Sequence, residues 1–164
     1  MSAQQAPVDF TNEIKNLFVQ KKLEQARERL LNTLSQGWAG HHNLIALTYL
    51  YLENRTESDG LKALEWLEKG VLANEPDSQV VLGRLLMSGE LGVQNFNRGL
   101  DLLKQAARAN VLMAVLTLSQ VYGKGVESLL SPDEQLAQQY IEQAASLGDP
   151  NSAYHLALEI EKAD

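Results

Sequence analysis

Apolar residues recur three and four positions apart along most of this 164-residue chain, the period of amphipathic helices. The pattern is clearest over residues 77–109, DSQVVLGRLLMSGELGVQNFNRGLDLLKQAARA, which read as two helices joined by a glycine-containing turn. It returns on both sides at about 36 residues, a period in the range of helical solenoids. In such a fold one helical hairpin cannot bury its apolar face alone and needs a stacked neighbour. The expected fold class is therefore all-α: a short right-handed α/α superhelical solenoid of about four helical hairpins plus a C-terminal helix.

The second helix of each hairpin carries the register. QARERLLNTL, KALEWLEKGV, RGLDLLKQAA and LAQQYIEQAA align with a small residue at Ala26, Ala63, Gly99 and Ala137, in steps of 37, 36 and 38 residues. Four positions on come Leu30, Leu67, Leu103 and Ile141; Trp66, Leu102 and Tyr140 share the bulky slot before them, and Gly70, Ala106 and Ala144 a late small slot. Glycine within a helix costs up to about 1 kcal/mol against alanine, so Gly70 and Gly99 point to close helix packing. In the first helices Leu47, Leu82 and Leu118 are equivalent, followed by Thr48, Gly83 and Ser119, with Tyr51, Leu86 and Tyr122 four positions after the leucines.

Capping signals place the elements. Asp9 or Thr11 opens a helix to about Lys22, and a second runs to about Ser35, ended by Gly37. A third covers about 42–53; Ser58 or Asp59 opens a fourth to about Ala73; Pro76 and Asp77 start a fifth. Asn95 caps a sixth, to about Arg108, and a seventh covers about 111–122. In SPDE, Ser131 reads as N-cap with Pro132 first in the helix and Glu134 third, a capping box opening an eighth helix to about Leu147. Gly148 stops it, and Asp149-Pro150 starts a ninth. Residues 1–7 are expected to be a disordered tail, 8–36 a degenerate N-terminal capping hairpin, and 37–164 one continuous domain of repeats ending in a single helix.

A small residue, then Leu-Gly or Leu-small, Tyr, a Gly-x-Gly-Val turn and later Lys-Ala, Trp or Tyr, and Ala-Ala resembles the Sel-1-like repeat family, relatives of tetratricopeptide repeats. Ala114, Leu118, Ser119, Tyr122, Gly125, Val126, Ala137, Tyr140, Ala144 and Ala145 carry the match in one unit. Leu82, Gly83, Gly89, Gly92, Val93, Ala106 and Ala107 carry it in the middle one, and Leu47, Tyr51, Lys62, Ala63 and Trp66 in the first, which has ENRTESD in place of the glycine turn. The resemblance covers roughly residues 41–162. It implies a binding function and, from tetratricopeptide packing, a concave groove. By register the groove slots are His42, Ile45, Tyr49 and Leu52, then Asp77, Val80, Arg84 and Met87, then Met113, Leu116 and Gln120, then His155 and Glu159. The stretch LIALTYLYL is apolar nearly all round. Either strong curvature or the N-terminal hairpin covers it, or it supplies anchor residues to a groove; the groove reading is preferred.

Charge sharpens the picture. Residues 125–164 hold eight acids and one base, which accounts for the whole net charge of −7. Among them Glu127, Asp133, Glu134 and Glu142 form an expected acidic surface, either a solubilising end or a face for a basic partner. Such an end disfavours nucleic-acid phosphate. Cysteine is absent, the N-terminus lacks the basic and apolar regions of a signal peptide, and no apolar run is long enough to span a bilayer. A cytoplasmic location is expected, with no membrane span. His41 and His42 are adjacent and His155 is remote, so no metal set is expected. Gly123–Gly125 lacks the rest of a phosphate loop, and no nucleophile constellation appears. The expectation is a non-enzymatic protein-binding repeat without cofactor. Resemblance to small bacterial Sel-1-like proteins implies an immunity protein that neutralises a secreted toxin with a basic face. The alternative is a scaffold or adaptor in an envelope or signalling assembly; a hydrolase is least favoured.

Overall fold

A computed structural model describes residues 8–163 apart from Ala39, and leaves undescribed the side chains of Val8 and of residues 159–163. The expected tail, 1–7, lies outside the described residues. These form nine helices: α1 (Val8–Val19), α2 (Leu23–Ser35), α3 (His42–Leu50), α4 (Glu57–Leu72), α5 (Pro76–Ser88), α6 (Phe96–Arg108), α7 (Leu112–Lys124), α8 (Glu134–Ser146) and α9 (Pro150–Ala163). The fold is the expected all-helical repeat solenoid. Contacts cluster into two compact units, residues 1–82 and 83–164, so α5 gives its first half to one and its second half to the other.

One device ends every second helix. Gly37, Asn74, Asn110 and Gly148 adopt left-handed φ values of 83°, 56°, 59° and 92°. Each lies eleven residues after the small residue that opens the register. Past each of them the chain folds back: Trp38, Glu75, Val111 and Asp149 donate their backbone N–H to the carbonyls of Thr33, Gly70, Ala106 and Ala144 at 2.9–3.2 Å. The bond spans six residues and satisfies a carbonyl that the helix end would otherwise leave bare. Its acceptors are Thr33 and the three late small residues, all buried. Asparagine does at two ends what glycine does at the other two, because its short polar side chain tolerates this backbone region.

In the first unit α1 packs on α2, α2 on α3 and α3 on α4. Ile14, Leu30 and Ile45 form its buried centre, with Phe10, Leu17, Phe18, Leu34, Leu44, Tyr49 and Trp66 packed around them. Gly70 is buried because Ser78 lies against it: a Cβ there would sit 1.9 Å from the Ser78 hydroxyl oxygen. In the second unit α6 packs on α7, α7 on α8 and α8 on α9. Leu103, Ala106, Ala114, Val115, Leu118 and Ala144 are fully buried there. Gly83 of α5 faces Gly99 of α6 so closely that a Cβ on Gly99 would meet the Gly83 carbonyl oxygen at 2.5 Å and the Met87 backbone nitrogen at 3.1 Å. The expectation that Gly70 and Gly99 are packing glycines holds.

Several boundaries differ from expectation. α4 starts earlier, at a capping box formed by Thr56 and Asp59: Asp59 N–H donates to Thr56 Oγ1 at 3.2 Å, and Thr56 N–H returns the bond to Asp59 Oδ2 at 3.0 Å. The N-cap of α8 is Asp133, whose Oδ1 accepts from Leu136 N–H at 2.9 Å, and not Ser131. Pro132 stays in the loop, where its ring lies against left-handed Gly125, while Asp133 N–H donates to the Tyr122 carbonyl at 2.8 Å. A single antiparallel bridge between Val126 and Leu130 closes that loop. Helix α3 stops at Leu50, so Tyr51 leaves the core slot that Leu86 and Tyr122 fill and is 61 % exposed. Asn95 and Asp149 cap as expected, accepting from Arg98 and Ser152 N–H.

The Gly83–Gly99 crossing gives a stability test. Gly99→Ala raises helix propensity by up to about 1 kcal/mol, but its methyl meets backbone atoms, and overpacking costs about 1–3 kcal/mol. Urea denaturation is expected to show net destabilisation for Gly99→Ala, and likewise for Ala106→Leu in the late small slot. A wild-type midpoint in both would mean that these slots do not face a neighbouring helix.

Candidate protein-binding site

The first-helix slots expected to line a groove do not behave alike. In the first unit Ile45 is fully buried against Ile14 and Leu30, and Val80 is 5 % exposed. Neither is available to a partner; both are core, and this corrects their assignment as groove residues. Tyr49 is half-buried beneath two cations: the Arg27 guanidinium stands 3.6 Å from its ring centre and Lys62 Nζ 5.7 Å. Arg27 is held there by bonds from Nε to Thr48 Oγ1 (2.9 Å) and from Nη2 to the Thr48 carbonyl (3.1 Å). A cation over an aromatic face contributes about 0.5–2 kcal/mol, so Tyr49 is engaged inside its own unit. The N-terminal hairpin therefore covers Ile45 and Tyr49 of α3, in place of the preferred open groove. Leu52 lies half-buried beside Lys21, Lys22 and Tyr51 at the end of this hairpin. Asp77 is exposed.

The two adjacent histidines are also interior features of this unit. His42 Nδ1 and Glu75 Oε1 are 2.5 Å apart, with both side chains largely covered. The other oxygen of Glu75 accepts from Ser78 Oγ at 3.0 Å, next to Gly70. Trp66 lies across His42 at 6.0 Å between ring centres and carries Lys69 Nζ 4.1 Å over its own. His41 packs its ring at 5.6 Å from that of Phe10, and its buried Nε2 has no hydrogen-bond partner. Burial holds the His41 imidazole below its ordinary pKa, against the opposing field of Glu75. The contacts of Arg27, Glu75 and Trp66 with groove-slot residues cross between helices and leave no periodic signal in the sequence.

In the second unit the same slots open outward. Arg84 and Gln120 are exposed, Met113 is 52 % exposed, and Leu116 is half-buried. Met113, Leu116 and Gln120 follow one another at i, i+3 and i+7 on α7, a single face of the helix. Met87 is half-buried, with its Cγ against Gly99, and is a packing residue. His155 is exposed on α9, and the Glu159 side chain lies outside the described residues. Glu127, Asp133, Glu134 and Glu142 are all exposed. Among the described residues none of these four carboxylates is in an ion pair, although Asp133 accepts its capping bond. No group of three His, Asp or Glu side chains among the described residues is arranged to hold a metal ion. No described helix is long and apolar enough to cross a membrane.

A family model of the Sel1 repeat matches residues 42–74, 76–111 and 113–149. The chain belongs to the Sel1 repeat family. The three repeat ends fall within one residue of left-handed Asn74, Asn110 and Gly148. The crystal structure of a Sel1 repeat protein from Oxalobacter formigenes superposes with a TM-score of 0.67 over 89 % of this chain and 57 % of that one, at 23 % identity, a likeness of fold. The chitin synthase regulator SKT5 of Saccharomyces cerevisiae is 34 % identical over 109 residues, 62 % of this chain and 16 % of that protein, so the chain spans about a sixth of that relative's length. Sel1 repeats typically mediate protein–protein interaction and are typically non-enzymatic scaffolds.

His41 makes stability of the first unit depend on pH. Its folded-state pKa lies below the unfolded value of 6.5, so the unfolded chain takes up the proton first as pH falls. The stability His41 contributes is complete above pH 6.5 and is lost as pH falls through its lowered folded value. His41→Phe keeps a ring beside Phe10 and removes the titration. Thermal melts between pH 7.5 and 5 are expected to fall less steeply for His41→Phe than for wild type. Parallel slopes would mean that another group sets the acid limit.

Proposed function

We propose that this Sel1 repeat chain is a non-enzymatic protein-binding module whose second unit receives a partner with a basic face. The supporting observation is the exposed set of carboxylates Glu127, Glu134 and Glu142, none of them in an ion pair among the described residues. Unneutralised like charges repel one another, and a complementary surface relieves that repulsion while steering encounter. The half-exposed Met113 and Leu116 on α7 add apolar area of the kind that anchors interfaces. A secreted toxin acting on nucleic acid or another anionic target carries such a basic face. The finer reading is accordingly an immunity protein acting in the cytoplasm of a bacterium, binding its toxin stoichiometrically. A scaffold or regulatory role is the second reading, favoured because a relative sharing 34 % identity is named a chitin synthase regulator. One tight partner of fixed stoichiometry fits the first, and several weaker partners fit the second.

The electrostatic part has a direct test. With a captured partner, the association rate is expected to fall as salt rises, because fields between exposed charges are screened over about 8–10 Å at physiological ionic strength. Dissociation is expected to change less. Glu134→Lys combined with Glu142→Lys flattens the salt dependence, and Met113→Asp speeds dissociation while leaving helicity intact. A wild-type association rate indifferent to salt would leave the carboxylates as a solubilising surface only.

A further inference from the structure

The acidic second unit contains a basic hollow. Lys104, Ala107 and Arg108 of α6 meet Tyr140 and Gln143 of α8 around a space of about 170 Å³. Two of these side chains are cations one helical turn apart, and among the described residues no ion pair engages either. Lys104 Nζ lies 5.8 Å from the centre of the Tyr122 ring, and hydrogen bonding to Tyr122 holds its ammonium above the ordinary pKa. The Tyr122 ring stacks on Tyr140, with centres 5.9 Å apart and planes 18° from parallel, so the lysine and the tyrosines brace one another. Burial raises the Tyr140 pKa, so its hydroxyl keeps its proton and remains a donor.

Two acceptors on the rim are already occupied. Gln143 Nε2 donates to the Ala107 carbonyl at 2.8 Å and to Asn110 Oδ1 at 3.1 Å. These bonds join α6 to α8 and draw off the backbone oxygen and amide oxygen that would repel an anion. The donors on offer around the small space are those of Lys104, Arg108 and Tyr140, beside the amide oxygen of Gln143.

The repeat does not require this arrangement. The slot of Lys104 is filled by Glu68 one repeat earlier and by Glu142 one repeat later, and that of Arg108 by Leu72 and Ser146. Stacking of helices is therefore served equally well by acidic and neutral residues there. Between α6 and α8 the exchanged charges coincide with a hollow and a tyrosine.

We infer that Lys104, Arg108 and Tyr140 form a subsite for one anionic side chain, a carboxylate or a phosphoryl group, presented by a partner protein. The charges are those that bind such oxygens through short, charge-assisted bonds, with the guanidinium able to make two at once. The volume admits one such group and not an extended ligand. Within a surface that is otherwise negative, the hollow sets register: a basic partner face is drawn in by the surrounding acids, and one anionic residue on it locates the hollow. Only the source of the anion rests on the protein-binding reading; the site itself does not.

The probes are N-acetylglutamate N-methylamide and N-acetylphosphoserine N-methylamide, titrated against the full 15N-labelled chain. Saturable, joint shifts of the Arg108 Nε–Hε and Gln143 side-chain amide signals are expected, with Arg84 unmoved. Arg108→Gln is expected to weaken binding about tenfold, as loss of a charged hydrogen bond does; Lys104→Gln acts in the same direction, and Arg84→Gln leaves it unchanged. The probe that binds tighter identifies carboxylate or phosphoryl as the natural group. Shifts that rise without saturation, or that move Arg84 and Arg108 alike, would overturn the subsite. That failure would leave the salt-dependent association of the acidic face standing, and a salt-indifferent association would leave the subsite standing.

Discussion

Close approach of helices at small residues is the constraint on which the rest depends. Gly83 and Gly99 bring the backbones of α5 and α6 near enough that even a methyl group has no room. Gly70 does the same for the Ser78 side chain. The late small residues have a second task, since the carbonyls of Gly70, Ala106 and Ala144 accept the bond that turns the chain into the next helix. Side-chain size and chain reversal are thus set at one place in each repeat. This explains why the repeat tolerates such different residues elsewhere, including Glu68, Lys104 and Glu142 in a single equivalent slot.

The N-terminal hairpin changes what the first repeat can offer. Ile14 and Leu30 cover Ile45, and Arg27 lies over Tyr49, bonded to Thr48. Tyr49, whose register equivalents Arg84 and Gln120 are exposed, is engaged here in holding the first unit together. His42 is likewise occupied by Glu75 and Trp66. Of the equivalent positions farther along, Asp77, Arg84, Met113 and Gln120 are exposed, whereas Val80 is core and Met87 and Leu116 are half-buried. The proposed contact with a partner accordingly runs through α7 and the acidic residues of the second unit and not through α3.

Charge is arranged at two scales in that unit. Asp133 and Asp149 lie at helix N-termini, where their carboxylates accept backbone N–H bonds; hydrogen bonding from the Ser152 side chain, and then from its backbone N–H, holds the Asp149 carboxyl below its ordinary pKa. These two are structural even though they add to the negative field. Glu127, Glu134 and Glu142 have no such bonds among the described residues and remain available at long range. Within this field Lys104 and Arg108 form a local exception, confined by Tyr140 and by the amide of Gln143. Long-range attraction of a basic face and short-range selection of one anion can coexist, because the first falls off over the Debye length and the second needs direct contact.

Helical period, capping residues and the spacing of small residues lie in local sequence, because each reflects backbone geometry within a turn or two. They determined the element order, the repeat register, the family and the packing role of Gly70 and Gly99. They also placed Asn95 and Asp149 correctly as caps. What they could not determine is which of several capping candidates is used: Asp133 prevails over Ser131 because Pro132 is taken up by the close contact with Gly125. Nor could they separate Ile45 and Val80, which are core, from Arg84 and Gln120, which share the same nominal groove but are exposed. Register gives the direction of a side chain from its own helix; whether that direction meets solvent depends on the neighbouring helix. The cover of Tyr49 by Arg27, the pairing of His42 with Glu75 and the meeting of Lys104 and Arg108 with Tyr140 all join residues about 20 to 40 positions apart. Only the tertiary structure decided them, because contacts between helices leave no period in the chain.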